Sequence, residues 1–151
     1  MVWKKLWKLN IPPKVRMFTW RACSNILPTK VNLAPKKIQV DPKCTTCTQQ
    51  DETICHVLWQ CSLARNIRAL VRGKIQKSCS SEENFFDLTA QMMDRLSKWE
   101  LEQWLMICWS LWNARNQAQF DKMHSHPIAI VQSATSLLEE YQRLASSLPP
   151  N

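Results

Sequence analysis

Apolar residues recur every three to four positions along most of the chain, which is the periodicity of helices with one buried face. The longest such segment starts at a capping box, Ser97-x-x-Glu100, and predicts a helix to about position 123. Its apolar face is predicted to contain Leu101, Trp104, Leu105, Cys108, Leu111 and Trp112, with Arg115 next in the series.

Two shorter helical patterns lie at the N-terminus. The first places three apolar residues on one face: Trp3, Leu6 and Trp7. The second begins at Pro13, a favourable first helical residue, and its apolar face contains Val15, Phe18 and Ala22. Thr29 is then a suitable N-cap for a short helix through Ala34.

A further helix is predicted to start at Asp51, Glu52 or Thr53 and to run through Trp59, and another to run from Leu63 to Lys74. Ser80-x-x-Glu83 has the pattern of a second capping box. Ser125-His126-Pro127 predicts the start of a last helix. The apolar side of that helix is predicted to be Ile128, Val131, Thr135, Leu138, Tyr141 or Gln142, and Ala145.

The composition also favours helices, because the chain contains a single glycine, Gly73. Tight hairpin turns and phosphate-binding loops both favour glycine. We therefore predict a mostly α protein in two parts. Residues 1–78 form a small helical domain with a zinc-knuckle-like loop, and residues 79–151 form a C-terminal helical pair or three helices.

Positive charge is concentrated at the N-terminus. Residues 1–43 contain ten lysines and arginines and one acidic residue, a net charge of +9, whereas residues 44–151 have a net charge of −1. This asymmetry favours a polyanion partner, most often RNA or DNA and less often a membrane surface, although a solvated basic face explains it equally well. The candidate nucleic-acid-binding residues are Lys4, Lys5, Lys8, Lys14, Arg16, Arg21, Lys30, Lys36, Lys37 and Lys43.

One short segment has the spacing of zinc ligands: Cys44-x2-Cys47-x8-His56-x4-Cys61. Structural zinc takes four nitrogen or sulfur ligands, and four ligands leave no open position for catalysis. We therefore predict one structural Zn²⁺ ion. Cys55 is an alternative to His56, but neighbouring helical residues point about 100° apart, so only one of them faces the metal. We favour His56.

The other cysteines, Cys23, Cys79 and Cys108, are expected to be isolated thiols. No signal peptide and no apolar run of about 18 residues is visible, which favours an intracellular protein of the nucleus or cytoplasm with no membrane association. Clustered cysteines in a reducing compartment indicate metal binding rather than disulfides.

Three tryptophans near the N-terminus lie among basic residues: Trp3, Trp7 and Trp20. Indole rings placed between basic residues in this way can stack on unpaired bases. Indoles packed in the core are the simpler expectation, because tryptophan is usually buried.

Several motifs follow one another in a fixed order: Trp3-Lys-Lys-Leu-Trp7, Pro13-Lys14-Val-Arg-Met-Phe18-Thr-Trp20-Arg21, Leu27-Pro28-Thr29, the Cys44/Cys47 pair, Glu52-Thr53-x-x-His56 and Cys61-x-x-Ala64. Together they resemble the reverse-transcriptase zinc-binding domain of plant non-LTR (LINE-type) retrotransposon polyproteins. The later motif Trp109-Ser-Leu-Trp112-Asn-Ala-Arg115-Asn116 resembles the segment that follows this domain. One position departs from the family, which tends to have tryptophan where this chain has Arg68.

The resemblance implies Cys44, Cys47, His56 and Cys61 as the zinc ligands, and a role beside a reverse transcriptase in holding template RNA or target DNA. The polymerase, endonuclease and ribonuclease-H-like domains of these polyproteins are not expected within this sequence. We therefore predict a non-catalytic, zinc-binding and nucleic-acid-binding module. The alternatives are a module that binds a protein partner through the C-terminal helices and a nonfunctional retroelement fragment.

Overall fold

The computed structural model describes residues 2–34 and 41–147. Within these ranges the chain is mostly helical and contains no β-strand, which confirms the predicted fold class. An isolated antiparallel bridge between Lys43 and Asp51 closes the cysteine-containing loop. Two of the candidate basic residues, Lys36 and Lys37, lie outside the described residues.

The helices follow the predicted order. In the described residues they are α1 (Val2–Trp7), α2 (Pro13–Cys23), α3 (Lys30–Leu33), a π-helix (His56–Gln60), α4 (Ser62–Ala69), α5 (Lys74–Lys77), α6 (Phe85–Arg95), α7 (Lys98–Phe120) and α8 (Pro127–Ser146).

Helix α7 lies at the centre of the core and contacts α2, α5, α8 and the π-helix. Every residue of its predicted apolar face is buried, and Met106 and Ile107 are buried as well because neighbours cover several sides. The predicted capping box is present. The Ser97 hydroxyl accepts a hydrogen bond from the Glu100 N–H, and the Glu100 carboxylate accepts one from the Ser97 N–H.

Two predicted elements near the middle of the chain are corrected. The helix predicted over 63–74 ends at Ala69, and Gly73, with φ of 99°, separates it from α5. Ser80-x-x-Glu83 does not start a helix. Asn84 is the N-cap of α6 instead, because its side chain accepts hydrogen bonds from the Phe86 and Asp87 N–H groups directly before an apolar run.

The buried face of α8 also differs from the prediction. Ile130, Ala134 and Leu138 are buried, whereas Ile128 is 57% exposed. Only Leu138 belongs to both sets. The pattern of large apolar residues favoured Ile128, but the helix packs on α7 and α4 through a face with the small Ala134 at its middle.

A single hydrophobic core includes residues from both sides of position 78, among them Leu6, Ile67, Leu88 and Trp104. The division of the chain into residues 1–78 and 79–151 stays a prediction.

Candidate metal centre and basic surface

Backbone hydrogen bonds fold residues 41–52 into a compact loop that presents Cys44 and Cys47. The Cys44 N–H donates to the Gln50 carbonyl and the Thr48 N–H donates to the Cys44 carbonyl, both at 2.8 Å. Thr48 has φ of 59°, in the left-handed region, which reverses the chain just after Cys47. The two cysteines therefore lie on one tight turn, as their two-residue spacing predicts.

The π-helix holds the other two candidate ligands. His56 is its first residue and Cys61 follows its last, and the Cys61 N–H donates to the His56 carbonyl at 2.8 Å. This bond spans five residues, one more than in an α-helix, and such wider turns are frequent at functional sites. The wider turn places both His56 and Cys61 beside the loop that holds Cys44 and Cys47.

The four side chains form one cluster. The Sγ atoms of Cys44, Cys47 and Cys61 and a ring nitrogen of His56 all lie within 4.8 Å of one another. Cys44 Sγ is 3.9 Å from Cys61 Sγ, and Cys47 Sγ is 3.3 Å from His56 Nε2. In a tetrahedral zinc site, ligand bonds of about 2.0–2.3 Å place ligand atoms about 3.6–3.8 Å apart. The cluster therefore has the composition and dimensions of a possible zinc site.

Cys55 lies outside this cluster. Its side chain is buried, and its Sγ donates to the Glu82 carbonyl at 3.3 Å. Burial raises the pKa of the Cys55 thiol to about 11, so the thiol form is favoured there. The geometry thus supports His56 over Cys55 as the fourth ligand, and the ligand assignment itself stays a prediction.

Contacts within the cluster shift the pKa values of its members in opposite directions. Hydrogen bonding with Cys61 lowers the pKa of Cys44, and the same contact raises the pKa of Cys61. Hydrogen bonding with Cys44 raises the pKa of His56. Zinc binds thiolates and neutral imidazole, so metal binding at this cluster would release protons and weaken as the pH falls.

A buried ion pair anchors the residues that precede the π-helix. The Glu52 carboxylate accepts hydrogen bonds from Arg115 Nε at 3.0 Å and from Arg115 Nη2, and both side chains are buried. Glu52 also accepts a hydrogen bond from the Lys30 N–H at 2.9 Å. Glu52 thus connects the candidate metal-binding loop with α3 and α7. Glu52 and Arg115 both belong to motifs that support the family resemblance, but nothing in the sequence indicates that they form a pair.

Arg68 packs directly on Trp59, the fourth residue of the π-helix. Its guanidinium carbon lies 3.7 Å from the Trp59 ring centroid, and its Nη1 donates to the Trp59 carbonyl at 2.6 Å. Trp59 in turn contacts Trp104 of α7 edge to face. Arg68 therefore stabilises the π-helix between His56 and Cys61 through a cation–π contact and through packing of its flat guanidinium group on the Trp59 ring.

The eight described candidate basic residues fall into two groups. Lys30 and Lys43 lie beside the cysteine loop and contact it: Lys30 Nζ donates to the Lys43 carbonyl and to Thr45 Oγ1, and Lys43 pairs with Asp51 at 3.2 Å. The second group lies on α1, α2 and the turn between them: Lys4, Lys5, Lys8, Lys14, Arg16 and Arg21.

In this second group, only Lys5 has an acidic partner among the described residues, Asp94 at 4.0 Å. Lys4, Lys8, Lys14 and Arg21 are exposed, and Arg16 is partly buried. Their charges are therefore available to a polyanion. The charge of Lys43 is less available, because Lys43 pairs with Asp51.

The N-terminal tryptophans differ in burial. Trp3 is partly buried and packs against Phe86, with ring centroids 5.8 Å apart. Trp7 is 54% exposed and Trp20 is 39% exposed. The expectation of packed indoles is thus wrong for these two residues.

The remaining cysteines do not form a second metal site. Cys108 is buried, Cys23 is partly buried and Cys79 is exposed. In the described ranges, Cys44, Cys47, His56 and Cys61 form the one group of three or more potential ligands close enough together to hold a metal ion. No described helix is both long and apolar enough to cross a membrane.

Residues 1–67 match the family model described as zinc-binding in reverse transcriptase. The match includes all four residues of the cluster and confirms the resemblance to a reverse-transcriptase zinc-binding domain, whereas the plant and LINE-type origin stays a prediction. No curated protein and no solved structure matches the chain significantly.

Proposed function

We propose that this chain, whose residues 1–67 match the family model for zinc-binding in reverse transcriptase, is a non-catalytic module that binds RNA or DNA. One structural Zn²⁺ ion held by Cys44, Cys47, His56 and Cys61 would fix the loop and the π-helix. The basic residues of α1 and α2 would contact phosphates. The observation that carries the proposal is the close cluster of four ligand atoms within a domain whose first 43 residues have a net charge of +9.

The role of the ion would be structural. All four positions of a tetrahedron have a protein ligand, so no position is left for a substrate or a reactive water. Residues 41–51 contribute few apolar side chains to the core, and only Cys44 among them is buried. The ion would therefore supply stability that packing does not supply in this loop.

Binding to nucleic acid is tested by fluorescence anisotropy with labelled RNA and DNA at several salt concentrations. The test variant K4Q/K8Q/R21Q removes three exposed positive charges from α1, α2 and the adjoining turn. We expect weaker binding and a salt dependence whose logarithmic slope is smaller by about 2, the value for three lost contacts to a single strand.

The matched control is K77Q/K122Q/R143Q, which removes three exposed charges outside α1 and α2. Its net charge equals that of the test variant, so it reports the effect of overall charge alone. Equal weakening by both triple variants would show that no particular surface binds. Absence of binding by the unmodified protein at low salt would remove the proposal and favour a nonfunctional fragment.

A module that binds a protein partner through the C-terminal helices is less well supported. That hypothesis needs an exposed apolar stripe on Ile128, Val131 and Leu138. Leu138 is fully buried and Val131 is partly buried against the core, so the stripe is interrupted after Ile128.

A further inference from the structure

Trp7, Arg16 and Trp20 form a row of flat side chains on the surface of α1 and α2, which we call the tryptophan row. The Arg16 guanidinium carbon lies 5.7 Å from the Trp7 ring centroid. Trp20 lies one helical turn beyond Arg16 in α2, on the same face of that helix. Arg16 therefore contacts Trp7 and is a neighbour of Trp20 on the surface of α2.

Both indoles of the row are exposed, as is Trp99 of α7, which lies outside the row. Trp59 and Trp104 are buried in the core, whereas Trp7 and Trp20 are 54% and 39% exposed. Met17, one turn before Trp20, is also exposed at 42%. Large apolar surfaces grouped in this way commonly mark a binding site rather than a solvated surface.

The charge around the row identifies the kind of partner that fits. Lys4 lies one helical turn before Trp7, and Arg21 follows Trp20. Among the described residues, Lys4, Lys8, Arg16 and Arg21 form no ion pair, and the acidic residue paired in this region, Asp94, contacts Lys5. Cations without an acidic partner beside flat aromatic faces complement a ligand that carries both phosphates and π-surfaces.

We propose that the tryptophan row stacks on unpaired bases, so that the ligand of this module is single-stranded RNA or DNA rather than a duplex. This inference rests on the proposed function and specifies its ligand. In a duplex both faces of each base are covered by the neighbouring bases, so exposed indoles gain little from it. In a single strand, the bases turn toward the aromatic groups while the phosphates contact the adjacent lysines and arginines.

The experiment compares single-stranded and duplex oligonucleotides of about 20 nucleotides by anisotropy at one salt concentration. We expect the unmodified protein to prefer the single strand. W7A and W20A should each weaken single-strand binding by about fivefold or more, the range for loss of one stacked base, with little effect on duplex binding. W99A is the matched control, because Trp99 on α7 is 44% exposed and lies outside the row.

Two further variants separate stacking from folding. W20F keeps an aromatic face and W20L keeps an apolar side chain without one, so we expect W20F to bind the single strand better than W20L. Far-UV circular dichroism and zinc content of each variant show whether the domain has folded.

The outcomes distinguish this inference from the function on which it rests. Equal affinity for duplex and single strand, or W20L equal to W20F, would overturn the tryptophan row while nucleic-acid binding stands. No binding to either oligonucleotide would remove both. Concentration-dependent self-association in sedimentation velocity, lost in W7A and W20A without any change in oligonucleotide binding, would assign the row to a second copy of the chain and overturn the inference.

Discussion

Glu52 and Arg115 form a buried ion pair that joins the candidate metal-binding loop to the central helix across 63 residues of sequence. Glu52 is 1% exposed and Arg115 is 9% exposed, and two hydrogen bonds connect them. The same carboxylate also accepts the Lys30 N–H. A charge buried to this extent is tolerated because its partner and its hydrogen bonds replace water.

Removing one member of this pair should destabilise the protein strongly. R115M leaves the Glu52 carboxylate buried without its cation, and we expect the free energy of unfolding to fall by about 3–5 kcal/mol. Urea denaturation at a fixed zinc concentration measures this loss. R143M, which changes an exposed arginine of α8, is the control and should change stability by less than about 0.5 kcal/mol.

The double variant E52Q/R115M tests whether the two residues act as a pair. We expect it to lose less stability than the sum of the two single variants, because the second change removes the charge that the first left unpaired. Simple additivity of the two losses would show that the pair contributes nothing as a unit.

Zinc content tests the ligand assignment. We expect one zinc ion per chain in the unmodified protein and in C55S, and loss of that ion in C44S and H56A, since only the latter two remove a member of the four-residue cluster. Elemental analysis of purified protein measures it. Retention of zinc in H56A together with its loss in C55S would show that Cys55 is the fourth ligand.

The sequence predicted the helical fold and the cluster of candidate ligands because both depend on local spacing. The period of α7, the capping box at Ser97 and the Cys44-x2-Cys47 pair each lie within one element or one turn. The Glu52–Arg115 pair could not be predicted in this way. Its members are distant in sequence, and no local spacing pattern contains both of them.

Arg68 illustrates the same limit. In the sequence Arg68 is notable only as a departure from the family's tryptophan, whereas in the structure its guanidinium carbon lies 3.7 Å from the Trp59 ring centroid. We expect R68M to lower the free energy of unfolding by about 1–2 kcal/mol, through loss of the cation–π contact and of the hydrogen bond to the Trp59 carbonyl. R65M on the exposed side of α4 is the control in urea denaturation, and equal effects of the two variants would contradict the proposed contact.

The capping box of α7 should make stability depend on pH. Hydrogen bonds from the Ser97 and Lys74 N–H groups hold the pKa of Glu100 below its ordinary value of 4.5. A lowered pKa in the folded state stabilises the protein above about pH 4.5, and this contribution is lost as the pH falls through the lower folded value.

E100Q should therefore be less stable than the unmodified protein near neutral pH, and the difference should shrink on acidification below about pH 4.5. Urea denaturation across this pH range, with E139Q on the exposed side of α8 as the control, measures the effect. A stability difference for E100Q that stays constant over the whole range would exclude a contribution from ionised Glu100.

The two isoleucines near the start of α8 test which of its faces packs on the core. Ile130 is 4% exposed, whereas Ile128 is 57% exposed beside Leu70. I130A should lower the free energy of unfolding by about 2–5 kcal/mol, because it leaves a cavity between helices, and I128A by less than about 0.5 kcal/mol. Urea denaturation of the two variants makes a matched comparison, since each loses the same atoms. A larger loss for I128A would place the helix in the orientation that the apolar periodicity predicted, with Ile128, Val131 and Leu138 toward the core.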